Sequence, residues 1–503
     1  METGVIVSLA VYFIAMLGIG LWAWKKSTED IDGYLLGGRK LSPAVAALSA
    51  GASDMSGWLL LGLPGAAYVA GLSASWIAIG LFIGALANYI IVAPRLRVHT
   101  ERTGDSITIP QFFENRFEDR SHALRVIASV VIVVFFTLYT SAGIVAGGKL
   151  FESAFGADYA LGLWITAGVV VAYTMFGGFL AVSLTDFVQG CIMFVALVLL
   201  PVVAFAELGG EFTGALQAAK PGAFDIMADL TALAMISSLA WGLGYFGQPH
   251  IIVRFMAVRS VRDVPAMRNI GMTWMGVALA GALATGLVGA AYIARTGTPL
   301  EDPETIFILL ADVLFDPLIT GFLLAALLAA IMSTISSQLL VSSSSLTEDF
   351  YRIYLRREAG QRELVTVGRL CVLLVALVAI LLAYDPENTI LGLVGNAWAG
   401  FGAAFGPLVI LSLTWKGLTR NGALAGILVG AATVLFWIYA PVLAEGATLS
   451  SVIYEIVPGF VLGGLAAILV SLAGSRPPET VLRTFEESDR EFRAASGRGA
   501  QLE

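Results

Sequence analysis

Residues 49–60 read SAGASDMSGWLL and place one aspartate, Asp54, inside a stretch from Leu41 to Pro94 that holds no other charged residue. A single carboxylate in hydrocarbon is expensive, by about 3 kcal/mol or more. Gly51, Gly57 and Pro64 weaken a helix on both sides of this charge. A helix that breaks beside a carboxylate at membrane depth is typical of a site for a cation and a small solute.

The composition of the whole chain is that of a membrane protein. Of its 503 residues, 58% are hydrophobic and 13% are charged, and the mean hydropathy is +0.84. A soluble protein is about half apolar and a quarter charged. Apolar runs of about 20 residues recur almost to the C-terminus, which indicates helices rather than the shorter, alternating strands of a membrane barrel. We therefore predict an all-α polytopic membrane protein.

About thirteen apolar segments follow one another, numbered here in chain order and centred near residues 14, 55, 83, 137, 169, 196, 240, 282, 328, 374, 402, 430 and 461. Alternate connections hold 26 of the 29 basic residues, and only Lys149, Lys220 and Arg295 lie on the other side. The positive-inside rule then predicts an N-terminus outside and a C-terminus in the cytoplasm. The first run extends from Val5 to Trp24. It has no basic region before it and no small-residue cleavage site, so we predict a retained helix rather than a signal peptide.

The chain is predicted to form one transmembrane domain over residues 1–474 and a polar, partly disordered cytoplasmic tail over 475–503. Within the domain we expect two core repeats at about 41–207 and 230–413, with extra helices at about 4–24, 419–440 and 450–473. Both cysteines, Cys191 and Cys371, lie in apolar runs and predict neither a disulfide nor a metal site.

Segment seven contains a second interruption, WGLGYFGQPH at residues 241–250, with three glycines and a proline. It lies five segments after segment two, so the two segments cross in opposite directions. Two broken helices at matching positions of inverted halves indicate a secondary transporter. The alternative is that these glycines only allow close packing, which we prefer for Gly402 and Gly406. The pattern GxGxxG within segment seven follows no soluble strand, so we reject a dinucleotide site.

Segment nine carries hydroxyls along one face. Ser333, Ser336 and Ser337 stand at positions i, i+3 and i+4, and Thr334 adjoins them. Hydroxyls and the free carbonyls of a broken helix are suitable ligands for sodium. Serines that bond back to carbonyls of the preceding turn are the alternative. Segment nine alone does not decide between the two, and the broken segment two favours the ion site.

Six stretches together carry a resemblance to the sodium/solute symporter family over nearly the full chain: SAGASDMSGWLL from Ser49, GIVAGGKLFES from Gly143, GGFLAVSLTDFVQ from Gly177, WGLGYFGQPH from Trp241, MSTISSQLLVSSS from Met332 and AWAGFGAAFGP from Ala397. The resemblance implies a leucine-transporter-like core of five plus five inverted helices, in segments two to six and seven to eleven. It also implies uptake of L-proline, coupled to inward sodium flux by alternating access, at a bacterial plasma (inner) membrane.

The resemblance implies a sodium site built from three backbone carbonyls and two hydroxyls, those of Ala52, Met55 and Ala330 and those of Ser333 and Thr334. Asp54 would be a nearby carboxylate that favours cations without being a certain ligand. Ser56 and Gly57 belong to the same functional stretch and, with Asp54, count among the residues expected to bind the substrate.

A proline pocket is implied among five further residues: Trp58, Tyr139, Trp241, Tyr245 and Gln248. Aromatic faces can pack on the pyrrolidine ring and its ammonium, and unwound helix ends can meet the carboxylate. The alternative for each Trp or Tyr is anchoring at the lipid interface. A second or transient sodium site is also implied, at Asp186, Ser333, Ser336 and Ser337, which leaves the stoichiometry open.

Other functions stay open at this stage. A sodium symporter for another small solute keeps the same architecture, and a proton-coupled carrier could use a buried carboxylate. A sensor or an enzyme is not expected, because the loops hold no catalytic domain and His99, His122 and His250 have no metal-binding spacing. We expect sodium as the coupling ion, no organic cofactor, no nucleic acid and no obligate protein partner.

Overall fold

The structure, a computed structural model, describes residues 2–27, 30–384 and 390–495. Within these ranges the chain is helical apart from turns, and Leu41 and Val258 form one isolated parallel β-bridge. Its α-helices are α1 (Thr3–Ser27), α2 (Ile31–Leu36), α3 (Pro43–Met55), α4 (Gly62–Ala70), α5 (Ser75–Ile91), α6 (Ala93–Arg102), α7 (Ile109–Arg116), α8 (Ala123–Phe155), α9 (Tyr159–Leu208), α10 (Phe212–Ala219), α11 (Ala232–Leu239), α12 (Pro249–Ala257), α13 (Val264–Thr296), α14 (Ile306–Leu314), α15 (Pro317–Ser344), α16 (Gln361–Leu382), α17 (Ile390–Thr414), α18 (Arg420–Tyr439), α19 (Ile456–Ala473) and α20 (Glu479–Ala495).

Shorter helical turns link these helices. A π-helix, Ser345–Leu355, continues α15. The 3-10 turns are Gly37–Arg39, Gly57–Leu59, Gly71–Ala74, Gly209–Glu211, Ala240–Gly247, Val261–Asp263, Pro303–Thr305, Ala444–Gly446 and Leu449–Ser451.

Ten helical stretches in the described ranges are long and apolar enough to cross a membrane. The predicted all-α, multi-pass architecture is therefore confirmed. One of these stretches contains α9, whose 50 residues exceed the roughly 20 that one crossing needs. The helix breaks at Gly178, where φ is 58° and a Cβ would lie 2.6 Å from the Tyr34 ring. Only glycine fits that backbone and that contact.

Segment two is broken where the sequence predicts it. Ser42 caps the start of α3 and Pro43 takes its first position, where a missing N–H costs nothing. The helix ends at Met55, because Ser56 adopts φ 34° and ψ −169°. One 3-10 turn, Gly57–Leu59, then leads into α4. The carbonyls of the last turn of α3 are thereby left without helical partners.

Segment seven is broken too, since the 3-10 stretch Ala240–Gly247 separates α11 from α12. Its glycines also serve close packing, because a Cβ on Gly242 would lie 2.1 Å from the Gly80 carbonyl oxygen. The packing role expected for Gly402 and Gly406 is confirmed. A Cβ on either glycine would lie within 2.6 Å of a side chain of α19, Ile456 for Gly402 and Phe460 for Gly406.

Backbone hydrogen bonds join the two broken segments at one end. The Leu41 amide donates to the Ala257 carbonyl at 3.1 Å, and the Arg259 amide donates to the Leu41 carbonyl at 3.0 Å. The start of α3 and the end of α12 are therefore tied together beside the buried helix α15, which packs against α1, α3, α8, α9 and α16.

Part of the polar tail is helical, and the partial disorder expected of the tail stays a prediction. Residues 479–495 form α20, which packs on α6 through the buried side chains of Val481, Phe485 and Phe492. The final residues, 496–503, lie outside the described chain. The domain boundary at residue 474 and the two core repeats stay predictions.

Candidate functional site

The break in α3 faces the hydroxyl face of α15. Ser333 donates a hydrogen bond from Oγ to the Ala52 carbonyl oxygen at 2.7 Å and lies 3.1 Å from the Ala330 carbonyl oxygen. Thr334 Oγ1 accepts a hydrogen bond from the Ser56 amide at 3.0 Å and lies 3.3 Å from the same Ala330 oxygen. Four of the five predicted sodium ligands therefore meet in one buried cluster of oxygens.

Met55, the fifth predicted ligand, is the last residue of α3 and is fully buried. The segment-nine hydroxyls bond back within their own helix and also contact the broken helix α3. Ser333 and Thr334 bond back towards Ala330, yet Ser333 also reaches across to α3. Bonding back is common in membrane helices. The bridge to Ala52 joins two helices and places hydroxyl oxygens against free carbonyls.

Asp54 lies beside this cluster and faces segment seven. It is 1% exposed, and its Oδ2 accepts a short hydrogen bond from the Tyr245 hydroxyl. Its Oδ1 has no hydrogen-bond partner among the described residues. A cavity of about 20 Å³ is lined by Asp54, Asn88 and Tyr89 among others. The carboxylate therefore links the two broken segments and keeps one oxygen available.

The residues of the predicted aromatic pocket lie at the two breaks, Trp58 in segment two and Trp241, Tyr245 and Gln248 in segment seven. Trp58 and Trp241 lie with ring centroids 6.4 Å apart, and both are buried. Tyr245 meets Trp398 edge to face at 5.2 Å. Gln248 donates from Nε2 to the Trp398 carbonyl oxygen at 3.1 Å, which holds its side chain towards α17. Burial of these rings inside the protein argues against lipid anchoring.

Several buried polar atoms around these rings retain hydrogen-bonding capacity. No partner among the described residues reaches Gln248 Oε1 or Gln338 Nε2, and the Tyr139 hydroxyl lies towards Ser56. Buried polar groups in proteins are nearly always hydrogen-bonded, to protein or to something else. Together with Asp54 Oδ1, these atoms provide acceptors and donors suited to a small zwitterion. Ser56 and Gly57 lie at the break itself, and a Cβ on Gly57 would lie 3.1 Å from Ala146 and Ile331.

The residues of the second predicted ion site are arranged differently. Asp186 Oδ2 accepts hydrogen bonds from Ser49 Oγ at 2.7 Å and from Arg254 Nη2 at 3.1 Å, with Ser337 Oγ at 3.5 Å. Ser336 donates to the Ser333 carbonyl within its own helix at 3.0 Å. The structure therefore brings Asp186 and Ser337 together around a guanidinium group, with the Ser336 hydroxyl directed elsewhere.

Sequence reasoning missed three residues of this region. Arg254 counted as a loop charge in the topology argument, yet it is 1% exposed inside α12. Its apolar flanks, PHIIVRFMA, were the available signal. Trp398 donates from Nε1 to the Trp241 carbonyl at 2.8 Å, and Tyr454 stacks on Trp241 at 5.2 Å. Trp398 lies in a quoted motif, whereas no local pattern distinguishes Tyr454.

The described residues hold no group of three or more His, Cys, Asp or Glu side chains that could bind a metal. The cluster around Ser333 consists of backbone carbonyl and side-chain hydroxyl oxygens instead.

Comparison with known proteins gives consistent matches. A sequence model described as the sodium:solute symporter family matches residues 34–430. The osmoregulated proline transporter OpuE of Bacillus subtilis is 56% identical over 96% of this chain and 98% of its own length. The high-affinity proline transporter PutP of the same organism is 56% identical over 94% of this chain and 98% of its own. A sodium/proline symporter of Staphylococcus aureus is 54% identical over 94% of this chain and 93% of its own length.

Solved structures show the same fold. A Na⁺-coupled sialic acid symporter, in a substrate-bound outward-open state, superposes with a TM-score of 0.80 at 20% identity, over 95% of this chain and 99% of that one. A nucleobase-cation symporter in a closed conformation with bromovinylhydantoin bound superposes with a TM-score of 0.54 at 12% identity. The superposition covers 90% of this chain and 98% of that one.

Proposed function

The chain belongs to the sodium:solute symporter family, and we propose that it carries L-proline into the cell together with sodium. It is a transporter and not an enzyme. Three relatives more than half identical over most of the chain are named for proline transport, one of them as a sodium/proline symporter. The observation that carries the proposal in the structure is the Ser333–Ala52 bridge, which joins the broken helix to the hydroxyl face of α15.

Sodium binds, in this proposal, at the oxygens of Ala52, Met55, Ala330, Ser333 and Thr334. Hydrogen bonds already hold four of these groups close together. On binding, the Ser333 and Thr334 hydroxyls turn their lone pairs to the ion and release the Ala52 and Ala330 carbonyls. Asp54 adds negative charge next to the site without being required as a ligand.

Proline binds between the two broken segments, among Trp58, Tyr139, Trp241, Tyr245 and Gln248. The rings of Trp58 and Trp241 pack on the pyrrolidine ring, and Asp54 with Ser56 and Gly57 forms the polar side of the pocket. Buried acceptors such as Gln248 Oε1 suit the secondary ammonium. The half-helix ends at the breaks in segments two and seven suit the carboxylate.

We further propose thirteen crossings. Three crossings are added to the ten apolar stretches. The long helix α9 counts as two helices separated at Gly178, and the broken segments two and seven count as one further crossing each. Residues 41–207 and 230–413 then form inverted repeats within a transmembrane domain over 1–474. The distribution of basic residues supports an N-terminus outside and a C-terminal tail, 475–503, in the cytoplasm.

Coupling follows from shared contacts. Sodium at the Ser333 cluster orders the break in α3, and the same break forms one wall of the proline pocket, so each ligand favours binding of the other. A membrane potential of about 100 mV supplies roughly 2.3 kcal/mol per sodium ion, and a tenfold gradient supplies about 1.4 kcal/mol more. One sodium ion per proline therefore supports accumulation of several hundredfold.

The test is uptake of labelled proline into proteoliposomes, with an inward gradient of sodium, lithium or protons. We expect accumulation driven by sodium at constant pH and lost without it. Competition by a panel of other amino acids, sugars and vitamins tests the cargo. Accumulation driven by a proton gradient alone, or displacement by an unrelated solute at lower concentration than proline, would contradict the proposal.

A further inference from the structure

A buried ion pair lies one helical turn along α15 from the proposed sodium cluster. Ser337 follows Ser333 by four residues and therefore lies on the same helical face. Arg254 and Asp186 are 1% and 0% exposed and lie 3.1 Å apart between Nη2 and Oδ2. Ser49 Oγ completes the group, 3.0 Å from Arg254 Nε and 2.7 Å from Asp186 Oδ2. Four helices, α3, α9, α12 and α15, contribute one residue each.

The oxygens around Asp186 form a set that suits a hard cation: one carboxylate and two hydroxyls. In this chain the positively charged Arg254 guanidinium already contacts these oxygens. Arg254 Nη2 lies 2.6 Å from Ser337 Oγ and also bonds Asp186 Oδ2, so the two oxygens share one nitrogen atom. Arg254 Nη1 is anchored on the His250 carbonyl at 2.5 Å, and the Phe179 ring lies 5.2 Å from the guanidinium carbon.

Charge balance gives this arrangement a consequence for ion binding. A buried carboxylate needs a compensating charge, and a buried guanidinium needs one as well. Each supplies the other here, so the group is neutral without any ion. A sodium ion at Asp186 would add an uncompensated charge, and it would have to displace Nη2 to bind Asp186 Oδ2 together with Ser337 Oγ. Asp186 Oδ1 has no hydrogen-bond partner among the described residues.

We propose that Arg254 is a tethered cation that takes the place of a second sodium ion at Asp186. The carrier then binds one sodium ion, at the Ser333 cluster, and the Asp186 group positions α3, α9, α12 and α15 around it. This inference rests on the proposed sodium coupling and adds its stoichiometry.

The test is equilibrium binding of ²²Na⁺ to the purified full-length protein, which needs no proline. We expect one sodium ion per wild-type protein and two per Arg254→Gln protein, because the freed Asp186 carboxylate recruits an ion with Ser49 and Ser337. The double variant Arg254→Gln/Asp186→Asn is expected to bind one sodium ion again. Arg254→Lys, which keeps the charge, is expected to stay at one.

Two results would overturn the inference: two ions bound by the wild type, or one ion bound by a folded Arg254→Gln variant. Should Arg254→Gln fail to elute as a single species, the neutral double variant still decides, because a second ion held by Asp186 in the wild type would be lost in it. A wild type that binds no sodium would instead contradict the proposed function.

Discussion

Asp54 is the residue from which the sequence argument starts, and its structural partner explains how a lone carboxylate is accommodated. The Tyr245 hydroxyl donates to Asp54 Oδ2 from the other broken segment. A pattern of glycines and a proline predicts both breaks, but it does not predict that a tyrosine joins them. Such a pairing is set by tertiary packing between segments about 190 residues apart, which no local pattern records.

Replacing Tyr245 with Phe is expected to lower the apparent affinities for sodium and proline about tenfold or more. A hydrogen bond to a charged group contributes about 1.5–3 kcal/mol, and the variant leaves a buried carboxylate short of a donor. The measurement is the sodium and proline dependence of uptake. Tyr351→Phe is the matched control, because its hydroxyl donates to Glu363 at 2.7 Å, away from the site. Equal kinetics in the two variants would contradict a role for the Tyr245–Asp54 bond.

Arg254 shows where sequence reasoning reached its limit. A basic residue at the end of an apolar run is usually a cytoplasmic loop charge, and the positive-inside count treated it so. Burial against Asp186 could not be predicted, because the partner lies on a different helix and each charge alone fits an ordinary loop or helix end. The topology prediction does not depend on this one residue, since the other 25 basic residues on that side still carry it.

Among the helices, α20 departs most from expectation. Its residues are polar enough to predict disorder, yet Val481, Phe485, Ser488 and Phe492 recur at helical spacing and are buried. That spacing was visible in the sequence. Arg116 lies over the Phe485 ring at 4.8 Å, and His99 meets it at 5.3 Å.

Phe485→Ala is expected to release α20 from α6. Replacing a buried Phe with Ala destabilises a protein by about 3–5 kcal/mol. We expect a value towards the lower end of this range, because only one face of α20 is covered. Hydrogen exchange over residues 479–495 should rise sharply while uptake stays at the wild-type rate. Arg483→Ala, on the exposed face of the same helix, is the control. Unchanged exchange in Phe485→Ala would contradict the docking.

The turn before α8 is held by a carboxylate outside the apolar spans. Asp119 accepts hydrogen bonds from the Leu124 amide at 2.8 Å, from Ser121 Oγ at 2.6 Å and from Arg420 Nε at 2.6 Å. Burial acts to raise the pKa of the Asp119 carboxyl, but these donors outweigh it and hold that pKa below its ordinary value. The ionised form therefore stabilises the folded protein above pH 4 or so, and this stabilisation is lost as the pH falls through the lowered native pKa.

Asp119→Asn is accordingly expected to lower the thermal unfolding midpoint at pH 7, with a gap to the wild type that narrows on acidification to about pH 3. Asp225→Asn, at an exposed turn, is the control and should change little at either pH. A gap that stays constant with pH would contradict the assignment of the effect to the ionised carboxylate.

Over the whole molecule, composition and periodicity predict an all-helical membrane protein with two broken helices, and the structure confirms both features. Hydrophobicity and backbone-breaking residues are local properties, so the sequence reports them directly. The geometry of the site depends on which helices meet. The Ser333–Ala52 bridge follows from residues of two separate motifs and becomes visible only in three dimensions.

The most direct test of sodium–proline coupling through this bridge is the affinity for labelled proline as a function of sodium concentration, compared between Ser333→Ala and Ser412→Ala. Both serines are fully buried, and among the described residues the Ser412 hydroxyl donates back to the Leu408 carbonyl within α17. We predict that sodium tightens proline binding in the wild type and in Ser412→Ala, and that Ser333→Ala loses most of this tightening while retaining weak sodium-independent binding. Equal tightening in the two variants would contradict the proposal that sodium at Ser333 orders the proline pocket.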